Sequence, residues 1–232
     1  MRITDLEKQI GNFRLSIDSM ELEQGKVHGL IGPNGSGKTT LAKIIMDIYQ
    51  ADTGQIDYEE ISLKECTLIP QRPYLLHASV YENLIYPLKL RKLPVNEELV
   101  NSILKQCGLQ DKRKQYARSL SSGEKQKLAF ARALIFSPKL ILVDETFSNL
   151  DPDSVRLFEE IILERQKKET ATWIIISHQL VHIRRICDRV HFMEAGRHVI
   201  SGTTEEILLN PDNEAVCRYL ADTEVSYTGR DT

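Results

Sequence analysis

Apolar and polar residues alternate loosely through the first thirty positions, most clearly in FRLSIDSMELEQ. This two-residue period predicts strands that pair antiparallel before a turn at Gly25. Past Gly25 the pattern becomes a short apolar run, VHGLI, the mark of a buried strand. GPNGSGKTTLAKIIMDIY follows, a glycine-rich loop opening onto a helix with Leu41, Ile44, Ile45 and Ile48 at helical spacing. Short strand signals return at QIDY and CTLIP, and a helical pattern then fills roughly 75 to 135, punctuated by Pro87 and Pro94. KLILVDE reads as a strand, Pro152 to Lys168 as a helix, and TWIIIS as a strand ending at His178. Such alternation predicts a parallel-sheet α/β core with an antiparallel β edge region and an inserted helical lobe. A helix, a hairpin turning at Gly196, two short helices and a polar tail, loose from about Asp222, complete the chain.

At 232 residues the chain is long enough for one large domain or two small lobes sharing a core. A formal net charge of -3 carries no basic footprint, which argues against nucleic acid as the main partner. Cys66, Cys107, Cys187 and Cys217 form no CxxC pair and have no clustered His, so reduced thiols are expected rather than a metal site. Charges interrupt every short apolar run at the N-terminus, and the longest apolar stretches elsewhere, such as LAFARALIF, fall short of the roughly 20 residues of a membrane span. The expectation is a chain that does not itself cross a bilayer.

Three segments carry chemistry. Gly32 to Thr39, GPNGSGKT, matches the phosphate-loop pattern GxxxxGK[ST] at every fixed position, which chance would give in roughly one chain of this length in a hundred. Gly32, Pro33, Asn34, Gly35, Ser36 and Gly37 would turn backbone N–H groups toward a β-phosphate, helped by the positive end of the following helix. Lys38 would neutralise the β and γ oxygens, Thr39 would offer a hydroxyl to Mg²⁺, and Thr40 would help hold the α-phosphate. LILVDE delivers Asp144 and Glu145 at the carboxyl end of a buried strand, where open α/β sheets place ligands. On its own that pair is equally compatible with an acidic turn. In LSSGEKQKLAFARAL, Ser121 and Glu124 form an S-x-x-E capping box; a well-started helix is one reading, and a second anion site at its N-terminus is the other.

Taken together these segments resemble the ABC ATPase family, over almost the whole chain. The family signature LSGGQ is represented by Leu120, Ser121, Ser122, Gly123 and Glu124; Gln71 in IPQRPYLL is similar to the Q-loop glutamine, Ser148 to Asp151 (SNLD) to the D-loop, and His178 to the switch histidine. The resemblance implies a P-loop NTPase fold of the ABC ATPase type. Residues 1–71 and 138–221 would form a RecA-like core with a β subdomain, 72–137 the helical signature subdomain, and 222–232 a loose tail. It further implies an ATPase with bound ATP and Mg²⁺. Thr39, Gln71 and Asp144 would serve the metal, Glu145 would act as general base, and His178 would contact the γ-phosphate. Two copies would sandwich ATP head to tail, Ser121 and the Gly123 N–H reaching a phosphate held by the other copy and Asp151 bridging the two sites. The expected setting is cytoplasmic, peripheral on the inner face of the cell membrane, with permease subunits and, for an importer, a solute-binding protein as partners.

The alternative, a soluble ABC ATPase acting on nucleic acid or ribosomes, fits less well, since the chain has one cassette and no heptad run between Lys38 and Asp144. The run QRPYLLHASVYENLIYPLKLR is similar to small-solute importers, including those for oxyanions such as tungstate or molybdate. Tyr74, Leu75, Leu76 and Tyr81 there could dock a membrane partner or pack internally. Two segments depart from the family. Ser122 and Glu124 replace a glycine and a glutamine. Before Gly11, Gln9 and Ile10 stand where an adenine-stacking aromatic is usual, Phe13 being the nearest ring.

Overall fold

A computed structural model describes residues 1–169 and 171–228. In chain order the elements are β1 (Arg2–Ile10), β2 (Phe13–Glu21), β3 (Val27–Ile31), α1 (Lys38–Ile45), β4 (Thr53–Asp57), β5 (Cys66–Ile69), α2 (Val80–Leu90) and α3 (Glu97–Gln106). Then come α4 (Ser122–Leu134), β6 (Leu140–Asp144), α5 (Pro152–Glu169), β7 (Thr172–Ile176), α6 (Leu180–Ile186), β8 (Arg189–Glu194), β9 (Arg197–Thr203), α7 (Thr204–Leu208) and α8 (Glu214–Thr228). The chain divides into two compact units, Met1–Glu60 with the chain from Ile174 onward, and Ile61–Trp173. The helical insert expected at 72–137 falls inside the second unit, which also takes in β5 and β6, strands the sequence reading assigns to the core.

In the first unit the strands run in the order β4-β1-β2-β9-β8-β3. The alternation read at the N-terminus becomes an antiparallel hairpin, Ile3 opposite Met20 through Ile10 opposite Phe13. Its inward residues Ile3, Leu6, Leu15 and Ile17 are fully buried. VHGLI is buried at every position, as a strand flanked on both sides must be, and pairs parallel with β8 from His28 opposite Arg189 to Ile31 opposite Phe192.

Three of this unit's histidines lie side by side, the ring centroids of His28 and His191 being 5.2 Å apart and those of His191 and His198 5.8 Å apart. His28 Nδ1 lies 3.0 Å from His191 Nε2, His28 Nε2 lies 3.0 Å from the Glu23 carbonyl, and His198 Nδ1 lies 2.8 Å from the Ser19 carbonyl. Carbonyl oxygens only accept, so the ring nitrogens facing them carry the protons. Burial pushes all three pKa values down, His191 most.

The second unit packs helices against β5 and β6, which pair parallel from Cys66 opposite Leu140 to Ile69 opposite Val143. Phe130 of α4 stacks on Phe158 of α5 at 3.9 Å, and Trp173 lies 6.4 Å from Phe130; all three are fully buried. The sequence reading has Pro87 interrupting the helical stretch, whereas it lies inside α2. A missing N–H and ring clash there cost about 3 kcal/mol, offset by burial of Leu84, Ile85, Pro87 and Leu88 on one face. A second difference lies at the C-terminus, where helix continues past Asp222 to Thr228. The Asn213 carboxamide caps its start, accepting from Ala215 and Val216 N–H, and no Gly or Pro falls between Glu214 and Thr228 to break it. Residues 229–232 of the expected tail lie outside the described residues.

All four cysteines are free. Burial raises the thiol pKa of Cys66 to about 11 and of Cys107 to about 12, as suits inert packing groups.

Candidate functional site

The phosphate loop follows β3 and leads into α1, the order a helix-end anion site requires. Gly37 is the N-cap of α1 with φ +102°, a conformation that side chains with a Cβ rarely adopt. A Cβ there would lie 2.9 Å from Leu15 Cδ1 and 3.0 Å from Phe13 Cζ. Lys38 is mostly buried, and its ammonium donates to the carbonyls of Gly32 (2.8 Å) and Pro33 (2.9 Å), with Ser36 Oγ at 3.3 Å. The Gly196 N–H of the β8–β9 turn donates to the Ser36 carbonyl, tying the loop to its sheet. His178 is exposed just beyond β7, whose Ile174–Ile176 neighbour β3 in the strand order.

The second unit carries the other set. Asp144 closes β6 and is 9% exposed, and Glu145 after it is half-buried. Glu145 takes φ 49° and ψ 27°, left-handed backbone that costs a non-glycine residue about 1–2 kcal/mol. Local strain of this kind concentrates where a side chain must be aimed. Thr146 Oγ1 donates to the Ile69 carbonyl at 3.3 Å, fastening the carboxyl end of β6 to that of β5, the strand that leads to Gln71. Gln71, Asp144 and Glu145 thus issue from two adjacent strand ends.

At α4 the capping box is complete. Glu124 N–H donates to Ser121 Oγ at 3.3 Å, and Ser121 N–H donates to Glu124 Oε2 at 2.9 Å. Lys112 pairs with the other carboxylate oxygen. That ammonium, then the Ser121 N–H, holds the Glu124 carboxyl below the usual carboxylate range. The departure from the family at Glu124 is therefore met by a turned-back carboxylate and a cation. Ser122 opens α4, and a Cβ on Gly123 would meet Asp151 Oδ2 at 4.0 Å as its nearest neighbour. Asp151 caps α5, accepting from Ser154 N–H at 2.9 Å and Ser154 Oγ at 2.5 Å, contacts that depress its pKa. The expected docking segment splits: Tyr74 is 71% exposed while Leu75 is 7% exposed and belongs to the core. Arg132 of α4 donates to the Tyr74 carbonyl at 2.7 Å and fixes that loop.

Among the described residues no group of three or more His, Cys, Asp or Glu side chains could hold a metal. Thr39 in the first unit and Asp144 in the second each offer oxygen, the donor type that Mg²⁺ takes. Lys112, the left-handed Glu145 and the packing of Phe13 against Gly37 escaped the sequence reading. Only the first had a signal, an acidic residue at the signature position that calls for a cation.

A strand, a glycine loop with a buried lysine and a helix, and, in the other unit, a strand ending in a buried and a half-buried carboxylate, define a P-loop nucleotide-binding protein. The sequence profile described as "ABC transporter" matches residues 15–148. The tungstate uptake system ATP-binding protein TupC of Peptoclostridium acidaminophilum is 38% identical over 203 residues, 84% of this chain and 94% of that protein. The methionine import ATP-binding protein MetN 1 of Listeria monocytogenes serovar 1/2a is 35% identical over 217 residues, covering 87% of this chain, which spans 64% of that protein's length. A solved structure of an ATP binding subunit of an ABC transporter shares the fold, with TM-score 0.82 and 23% identity, covering 96% of this chain and 98% of that one. This chain belongs to the ABC transporter family, among its ATP-binding proteins. No helix of the described residues is long and apolar enough to cross a membrane.

Proposed function

We propose that this chain hydrolyses ATP as the motor subunit of a small-solute importer, working as a head-to-tail pair of copies on the inner face of the cell membrane. The phosphate loop binds the β-phosphate through its N–H groups, and Lys38 neutralises the β and γ oxygens. Thr39, Gln71 and Asp144 would hold Mg²⁺, which when bound would help neutralise the charge that develops on the phosphates. Glu145 accepts the proton of the attacking water, and His178 contacts the γ-phosphate. Ser121 and the Gly123 N–H address the γ-phosphate of a nucleotide held by the other copy, with Asp151 linking the two sites. Positioning and electrostatic stabilisation account for the rate enhancement.

The observation that carries the hydrolytic reading is the pair Asp144–Glu145, one carboxylate buried at a strand end and the next half-buried just beyond it in left-handed backbone. Likeness to TupC over most of both chains supports import, with an oxyanion of the tungstate type as solute. Permease subunits and a solute-binding protein complete the assembly, and selectivity resides in them. Replacing Glu145 by Gln tests the reading. ATP binding is expected to persist while turnover falls by about 10²–10⁴, and the variant with ATP elutes as a dimer in size exclusion. Turnover at the wild-type rate, or a variant that stays monomeric at high concentration, contradicts the assignment.

A further inference from the structure

Glu124 places a full negative charge in the first turn of α4, close to the N–H of Gly123. Uncompensated, it would repel a phosphate arriving at that helix end. Lys112 comes from the turn Gln110–Lys112 that precedes the signature. The turn is itself fixed, Lys112 N–H donating to the Leu109 carbonyl at 3.0 Å and the Lys112 carbonyl accepting from Gln115 N–H at 2.8 Å. The two side chains are 35% and 26% exposed, so solvent screens the pair less than a fully exposed one. The neighbouring cation cannot substitute for Lys112. Arg113 is committed to Glu97 at 2.5 Å and Asn101 at 2.8 Å, and lies 4.4 Å from the Tyr81 ring.

We infer that Lys112 is a positioning residue for the phosphate contact made by the signature helix. It cancels the Glu124 charge and holds the carboxylate back toward Ser121, leaving Ser121 Oγ and the Gly123 N–H with a helix end that attracts anions. The inference rests on the reading of that helix end as the γ-phosphate contact of the partner copy.

A double-mutant cycle on the full chain tests it, using Lys112→Met, Glu124→Gln and both together, with Lys112→Arg as the conservative variant. The readouts are the KM for ATP in steady-state hydrolysis, kcat, and direct Mg-ATP binding to the monomer by calorimetry. Lys112→Met is expected to raise KM about tenfold, or about 1.4 kcal/mol, with monomer binding unchanged because the phosphate loop is untouched. In the Glu124→Gln background the same change should move KM less than twofold, and Lys112→Arg should retain the wild-type value. An equal rise in both backgrounds, or no rise in either, overturns the inference. If Ser121→Ala leaves ATP-dependent dimerisation and KM unaltered, the reading of the helix end fails instead, and the two failures are distinct.

Discussion

Replacing Gly37 by Ala separates backbone strain from steric contact at the phosphate loop. At φ +102° a residue with a Cβ costs about 1–3 kcal/mol. The new methyl would stand 2.9 Å from Leu15 Cδ1 and 3.0 Å from Phe13 Cζ, and Leu15 is fully buried, so the core must move. Overpacking of that kind adds about 1–3 kcal/mol. The sum, about 2–6 kcal/mol, is a large part of the 5–15 kcal/mol that typically holds a domain together. Gly35 is the control, since φ is +79° and a Cβ would meet nothing within 4 Å. Gly35→Ala should therefore cost about 1–3 kcal/mol, the strain alone. Urea unfolding followed by far-UV circular dichroism measures both, and Phe13→Ala is added to each. Opening space beside residue 37 should return about 1 kcal/mol in the Gly37→Ala background relative to its effect in the Gly35→Ala background. Equal losses for the two glycine variants, or strict additivity with Phe13→Ala, would refute the packing argument.

Tyr74→Asp should leave the fold and basal hydrolysis of the isolated subunit intact while abolishing transport by the assembled complex. Leu75→Asp, a charge placed in the core, should lower the unfolding midpoint and hydrolysis together; the two effects reversed would show the docking face misassigned. With the folded pKa values of His28, His191 and His198 held below the ordinary 6.5, the unfolded chain takes up protons first as pH falls. Stability should be flat above about pH 6.5 and drop below it, with a shallower acid limb in His191→Asn; urea midpoints between pH 8 and 5 decide. Ile10 is 41% exposed at the tip of the first hairpin and Phe13 is packed beside Gly37, so a stacking contribution of about 1–3 kcal/mol is missing. ATP and GTP should then bind within about fivefold of each other, and a strong ATP preference that vanishes in Phe13→Ala would contradict this.

Where the signal was local, the sequence was enough. EAGR bends into a two-residue turn with Ala195 at φ 46° and Gly196 at φ 80°, bringing Glu194 opposite Arg197. VHGLI and LILV, short and mostly apolar between turn signals, read as buried strands, and Ser121 with Glu124 announced its helix start. Partnerships between distant residues left no such trace. Ser16 on β2 sits opposite Arg197 on β9, a pairing set by the twist and closure of a sheet rather than by any period. Pro87 misled because propensity speaks for an isolated helix while tertiary packing decides a buried one. Glu145 gives no hint of left-handed backbone, since nothing in a glutamate requires it and only the surrounding fold imposes it.

The order in which the two units leave the ribosome follows from the way the chain is divided. Ile61–Trp173 is one continuous stretch, whereas the first unit must wait for the chain beyond Ile174 before its sheet can close. Val27–Ile31 meets neither of its sheet neighbours until Thr172–Ile176 and then Arg189–Glu194 have been made. At about 5–20 residues per second, that is an interval on the order of 10–30 s during which an apolar strand has no mate. Nascent chains stalled between Glu60 and Ile174 should be the ones that engage chaperones or aggregate, a vulnerability that belongs to biosynthesis and vanishes once the last strands are in place.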